Sequence, residues 1–186
     1  MAFWKENNVE PKRLFRFKVQ MDSEGLPENS GAHWWAKSVD IPTFSSSPVE
    51  HHYLDNVYKF PGKIVWQNIT LTMVDPSGPD AVSQVMNLLV QSGYKVKEPT
   101  NYETISKAKS IAKGIQNLFI TVIDAQGNEI EKWTVKHPMI TESNFATFDY
   151  NSDDLREVSM TIAYDWAECQ ILAGDRGVTA KTYNNQ

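Results

Sequence analysis

Residues 61–80 read PGKIVWQNITLTMVDPSGPD, and the alternation in that stretch constrains the fold more than any other feature of the chain. Val65, Ile69, Leu71 and Met73 share one parity, while Trp66, Asn68, Thr70 and Thr72 share the other. A period of two places the first set on one face of an extended strand and the second set on the opposite face. The apolar face needs a core, and the mostly polar face does not. Pro76 and the Gly, Pro and Asp residues after it end the run. The reading is one long half-buried strand over 61–76, covered on its apolar side by a second layer.

The same signal recurs along the chain. RLFRFKV (13–19) alternates around Phe15, Phe17 and Val19. HWWAKSVDIP (33–42) reads as a strand closed by its proline, and extended segments are expected over Val49–Tyr53 and Asn56–Phe60. NLFITVIDAQGNEIEKWTVKHP predicts a hairpin, with its turn on Ala125, Gln126, Gly127 and Asn128. REVSMTIAYDWAEC alternates again, and the last residues, GDRGVTAKTYNNQ, read as a loose tail. Between strands, Val82, Val85, Met86 and Leu89 recur at helical spacing. Ser77 and Asp80 suggest a capping box before them, and Gly93 suits the position after the C-cap. This helix of about three turns is expected to plug the open end of a sheet pair. A second, shorter helix is expected over 103–116, with Ile105, Ala108, Ile111 or Ala112, and Ile115 on one side. The sum is a mainly β fold: an antiparallel β-sandwich or barrel of about seven or eight strands, with one packed α-helix and a second short one. The domain is expected over residues 12–170, with an N-terminal arm at 1–11 and a C-terminal tail at 171–186.

Composition narrows the possible functions. The net charge of −5 argues against a chain whose main task is to grip phosphates through Lys and Arg. Cys169 is the only cysteine, so no intrachain disulfide can form. The start, MAFWKENNVEPKR, has no continuous apolar run of the signal-peptide kind, and no segment approaches the ~18 apolar residues that span a bilayer. A soluble product made in the cytoplasm, without membrane binding of its own, is expected.

Chemistry is hard to place on this sequence. His51 and His52 are neighbours on a strand and point to opposite faces, which does not suit one metal ion. Glu50 beside His51, and Asp153 beside Asp154, read as solvated residues rather than as an acid–base pair. Cys169 lies near Asp165 and Glu168, carboxylates that disfavour a thiolate. No catalytic residue, metal or cofactor is expected. Interaction surfaces are easier to nominate. Lys107, Lys109 and Lys113, with Lys95 and Lys97, form the one basic concentration and are candidates for contact with an acidic partner surface. Trp34 and Trp35 occupy both sides of one strand, so one of them is a candidate interface anchor. Phe3 and Trp4 stand in an otherwise polar leader, which suggests an arm that docks on its own or a neighbouring subunit.

FRFKV, WAKSVDIPTFS, YKFPGKIVWQNITLTMVDP, the helix ending in LLVQSGY, and VSMTIAYDWAE together resemble the tail tube proteins of T-even-like contractile-tailed bacteriophages. The likeness runs over nearly the whole chain, and its most specific part is FPGKIVWQNITLTMVDP with the helix that follows. The resemblance implies a subunit that closes into hexameric rings stacked as a tube inside a contractile sheath. It extends to the tube of type VI secretion. It implies that strands of all subunits join into one barrel, and that an arm and a long loop or hairpin reach adjacent subunits. The implied partners are further copies of itself, the tail sheath protein, the tape-measure protein, and the baseplate hub and tail terminator proteins, with DNA only in passage. The implied location is the virion tail, assembled in the host cytoplasm. On this reading Thr70 and Thr72 are candidates to face the lumen, and an acidic or uncharged lumen is expected. Two alternatives stand beside it. One is a tube initiator, baseplate or secretion-tube role. The other is a monomeric carbohydrate-binding sandwich with Trp34, Trp35 and Tyr53 as a stacking platform.

Overall fold

The computed structural model describes residues 11–23, 35–78, 80–94 and 104–172, and the backbone of 181–183. Their strands are β1 (Phe17–Asp22), β2 (Ala36–Val39), β3 (Phe44–Ser46), β4 (Val49–Tyr53), β5 (Asn56–Phe60), β6 (Ile64–Trp66), β7 (Ile69–Val74), β8 (Asn117–Ile123), β9 (Glu129–Lys136), β10 (Met139–Asn144), β11 (Glu157–Ala163), β12 (Trp166–Ile171) and β13 (Lys181–Tyr183). The helices are α1 (Ala81–Gln91) and α2 (Lys107–Lys113). A five-stranded sheet has the order β1-β8-β9-β12-β13, and a four-stranded sheet the order β10-β11-β7-β2. Both are antiparallel throughout.

Alternation decides what each sheet buries. Val19, Leu118, Ile120 and Val135 point inward from the five-stranded sheet. Ile69, Leu71, Met73, Val158, Met160 and Ile162 point inward from the four-stranded sheet, and all of them join one hydrophobic cluster. Each such side chain contributes roughly 1.5–3 kcal/mol by leaving water. The fold is therefore the expected sandwich, left open at its sheet edges rather than closed as a barrel within one chain. Two-residue corners, His137–Pro138 and Tyr164–Asp165, carry the chain between the sheets. Pro138 is fully buried.

The long strand over 61–76 is two strands. The chain changes partner after Trp66. β6 pairs with β3, a ladder that ends with Gln67 N donating to Thr43 O. From Ile69 onward β7 pairs with β11 and β2, beside which the Asp40 side chain accepts from Thr70 N. Ile69, Leu71 and Met73 face the core as expected, but Val65 is 56% exposed and Trp66 packs toward the core instead. The break resets the phase. Breaks of this kind, with short ribbon strands, also raise the strand count above the seven or eight expected. At the far end, Lys181–Tyr183 pairs with Cys169–Ile171, so part of the tail is built into the sheet.

Helix α1 starts one residue after Asp80, whose carboxylate accepts from Val82 N and Ser83 N. The cap is Asp80 itself rather than a Ser77 box. Gly93 has φ +104, the left-handed geometry that glycine supplies after a C-cap. Ala81, Val85 and Leu88 enter the core, whereas Met86 is exposed, so the buried stripe is rotated from the expected one. Asp75 holds the start of the helix through Ala81 N, and Ser92 O at its other end accepts from Ser106 N. The helix is thus tied at its start to the end of β7 and at its other end to the segment that leads into α2. In α2 the buried residue is Ser110, while Ile105 lies outside the helix and is exposed. Only Ile115 of the expected apolar side is buried fully.

The remaining strands build a ribbon that stands off the body. β3 pairs with β6, and β4 with β5, as two separate two-stranded ladders. Gly62 sits inside the stem of this ribbon, where an added Cβ would overlap the carbonyl oxygen of Ser47. Gly62→Ala is therefore expected to force the stem apart. Hydrogen exchange should show lost amide protection confined to residues 44–66, with the amides of Leu118 and Ile120 unchanged.

Candidate interaction surfaces

The sheet registers divide the sandwich into two ends. β7 begins at the end where the two corners lie, since Ile69 pairs with Ile162; the ribbon 43–67 is rooted there. At the opposite end lie the β8–β9 turn, the loop 145–156 between β10 and β11, the start of β2 and residues 11–16. We refer to these as the corner end and the loop end.

The ribbon is mounted by aromatic packing. Phe44 meets Trp66 edge-on at 5.5 Å, and Trp66 meets Tyr164 at 5.9 Å, which anchors the stem to the corner. Burial pushes the Tyr164 phenol up to about 12, so it stays neutral at ordinary pH. Beyond the stem every residue of β4 and β5 is exposed. Cross-strand pairing sorts them by face: Val49 with Phe60, His51 with Tyr58 and Tyr53 with Asn56 on one side, and Glu50 with Lys59 and His52 with Val57 on the other. The first face is aromatic and apolar. The second carries an ion pair, Lys59 to Glu50 at 3.4 Å. Leu54 at the tip has φ +52 and is 86% exposed, a backbone state that costs a residue with a Cβ roughly 1–2 kcal/mol.

The outward face of the four-stranded sheet has a different chemistry. Register aligns Ser38, Thr72, Ser159 and Asn144 in one row, and Thr70, Thr161 and Glu142 in the next. Thr70 and Thr72 thus share a hydroxyl-rich face, Thr70 exposed and Thr72 half-buried. At its rim Lys37 pairs with Glu157, so that cation is matched.

At the corner end, Asp165 joins three elements. It accepts from Lys107 Nζ at 2.7 Å and contacts His137 Nδ1 at 2.9 Å. His137 also meets Trp166 edge-on at 4.9 Å. The Lys107 hydrogen bond foremost, then His137, holds the Asp165 carboxyl below its usual range, against an opposing contribution from partial burial. A depressed carboxylate stabilises the fold above its unfolded-state value of ~3.9 and loses that contribution as pH falls through the lower folded value. Asp165→Asn is expected to cost about 1 kcal/mol at neutral pH, a figure discounted for partial exposure. Urea titrations should show the gap between variant and parent shrinking as the pH is lowered below ~3.9.

The residues nominated from sequence fall as follows. Lys107 is bound to Asp165 within the chain, Lys109 is half-buried and Lys113 is exposed, so the three do not present one free basic face. Trp35 is half-buried just before β2. Phe3, Trp4, Trp34, Lys95 and Lys97 lie outside the described residues. Trp35 at the loop end and Tyr53 on the ribbon of the corner end are not brought together, so they build no shared stacking platform. His51 and His52 do point to opposite faces. Among the described residues no group of three or more His, Cys, Asp or Glu is placed to hold a metal ion. Burial first, and then Glu131, raises the Cys169 thiol; the carboxylate responsible is Glu131 across the ladder rather than Asp165 or Glu168. No described helix is long and apolar enough to cross a membrane.

No protein-family model matches the sequence, and no curated protein matches it. Solved structures do. The anti-feeding prophage cap, a tube-terminating cap, aligns over 92% of this chain and 100% of its own, with TM-score 0.63 and 19% identity. The tube–sheath complex of an extracellular contractile injection system, PVC, aligns over 87% and 93%, with TM-score 0.60 and 19% identity. A chain of the anti-feeding prophage baseplate, solved with six-fold symmetrisation, aligns over 87% and 96%, with TM-score 0.62 and 11% identity. The chain has the fold found in contractile injection assemblies.

Proposed function

We propose that copies of this chain close laterally into rings, and that the rings stack into a tube walled by the four-stranded sheet. One observation carries the reading. That sheet ends on β10 at one edge and β2 at the other, and with four antiparallel strands the two edges run in opposite senses. A copy related by rotation about an axis along the strands therefore presents β2 antiparallel to β10, and the ladder continues with its alternation intact. The five-stranded sheet ends on β1 and β13, which run in the same sense, so its continuation would need a parallel pair. Lateral pairing also satisfies edges that would otherwise be a hazard.

The wall so formed presents Thr70, Thr72, Ser38, Ser159, Thr161 and Glu142 to the lumen. These are hydroxyl and acidic groups, which give a passing polyanion no cation to adhere to. With the likeness to tube, cap and baseplate chains, this supports a structural subunit of a contractile phage tail tube through which DNA passes on ejection. A six-fold ring fits the symmetry of the baseplate relative. The proposed partners are a sheath outside, a tape-measure protein within, and baseplate and terminator proteins at the two ends, in a virion tail put together in the host cytoplasm. The arm bearing Phe3 and Trp4 would dock on a neighbouring copy. The likeness to a tube-terminating cap favours one second reading, a subunit confined to the end of the tube. Negative-stain microscopy of the purified chain tests both. Long tubes are expected; isolated rings favour the terminal role, and a persistent monomer at high concentration overturns the reading.

A further inference from the structure

The two edges of the four-stranded sheet share an irregularity that its central pair lacks. β7 and β11 run in unbroken register, from Ile69 with Ile162 to Val74 with Glu157. On β2 the register shifts between Ala36 and Ser38, and on β10 between Ile140 and Glu142. Lys37 and Thr141 are the extra residues, so each edge strand is bulged once. Each bulge is held by its own side chain: Lys37 pairs with Glu157, and Thr141 Oγ1 donates to Thr161 O at 3.1 Å.

A bulge changes which residues share a face. Ala36 and Val39 lie opposite Met73 and Leu71 on the core side, with exposed Lys37 and Ser38 between them. Ile140 and Ser143 lie opposite Ile162 and Met160 on the core side, with exposed Thr141 and Glu142 between them. Both runs therefore read half-buried, exposed, exposed, half-buried, a pattern that is the same in either direction. A regular strand, with its period of two, cannot place residues three apart on one face. A straight strand added to either edge would need a further irregularity, whereas the two edges match each other residue for residue.

We infer that the two bulges set the seam between neighbouring copies in one register: Ala36 of one copy faces Ser143 of the next, Lys37 faces Glu142, Ser38 faces Thr141, and Val39 faces Ile140. This rests on lateral closure through β2 and β10, and adds the register and the ion pair that closure alone leaves open. Lys37 and Glu142 are the only charged residues of the two runs, and this register brings them together. Lys37 keeps Glu157 within its own chain, and an ammonium has three donors, enough for both carboxylates. Val39 against Ile140, and Ala36 against Ser143, carry the core side across the seam. A slip of one residue sets core-side residues against exposed ones. A slip of two sets Glu142 opposite Val39 in one direction and Lys37 opposite Ile140 in the other, which leaves a charge facing an aliphatic side chain.

The test reverses charge at the seam and keeps the pair within the chain. Lys37→Glu with Glu157→Lys inverts that pair in place and sets two carboxylates face to face between copies. By sedimentation velocity of the full-length chain, the concentration for half-assembly is expected to rise by about tenfold or more. Adding Glu142→Lys restores opposite charges across the seam and is expected to recover most of that loss. A cysteine scan in a Cys169→Ser background gives a second readout that needs no charge change: Ser38→Cys is combined in turn with Met139→Cys, Thr141→Cys or Ser143→Cys. Under mild oxidation the Thr141→Cys combination is expected to give a disulfide-linked ladder that ends at the ring's copy number, because only directly facing positions come within bridging distance. Assembly of the charge-inverted variant at the parent's concentration would overturn the facing of Lys37 and Glu142. A ladder from Met139→Cys or Ser143→Cys instead would overturn the register and leave closure through β2 and β10 intact. Rings with no ladder from any combination, and no response to charge inversion, would overturn the seam itself. A parent protein that forms no assembly would overturn the tube reading, and the proposal with it.

Discussion

Replacing Tyr58 and Phe60 together by aspartate is expected to abolish tube formation and leave the monomer as stable as the parent. Both residues lie on the aromatic face of the ribbon, about half exposed at 51% and 54%, and neither belongs to the core cluster. Surface changes of this kind alter stability by about ±0.5 kcal/mol. Buried aromatic anchors in an interface contribute ~2 kcal/mol or more each. Two of them, replaced by carboxylates that would need to be desolvated, weaken each contact by roughly a thousandfold or more. A thermal melt followed by circular dichroism should be unchanged, while sedimentation velocity should shift from large assemblies to small species. Val57→Asp changes the opposite face, beside the Glu50–Lys59 pair, and should do far less. Tubes of normal length from the double variant would show that this face is not an interface.

The ribbon also marks the limit of what the sequence discloses. Its strands, Val49–Tyr53 and Asn56–Phe60, are readable because the β-rich runs meet at a two-residue turn. The β8–β9 hairpin is readable because Gly127 takes φ +88 and Asp124 accepts from Gln126 N and Asn128 N within a few residues. Local chemistry produces local signals. The split at Gln67 and Asn68 left none, since no Gly or Pro stands there and the successive partners, β3 and then β11 with β2, come from other parts of the chain. The same holds for the surfaces. Alternation indicated that Thr70 and Thr72 share a face, but the hydroxyl rows exist only once four strands are in register. Nothing near Lys107 announces Asp165. The loop-end cavity, whose walls come from β2, β7 and the β10–β11 loop, is a product of topology alone.

Arg156→Met is expected to be the most damaging single change at the loop end, at about 3 kcal/mol or more. The Asp75 side chain is only 6% exposed, and Arg156 Nη1 lies 2.9 Å from it. Removing the guanidinium leaves that carboxylate with the Ala81 N–H and no countercharge, and an unpaired buried charge costs far more than an exposed one. The same substitution frees Phe145 O and the Phe148 ring, so loop 145–155 loses its anchor. Two readouts separate these effects. Urea unfolding of the double variant, Asp75→Asn with Arg156→Met, should recover part of the loss, because the stranded charge is gone, although neither replacement side chain can hold the loop. Hydrogen exchange in that double variant should therefore show restored protection in α1, whose first turn depends on residue 75, with the loop amides still unprotected. If Arg156→Met alone melted like the parent, the Arg156–Asp75 pair would not be what joins the start of α1 to the end of the four-stranded sheet.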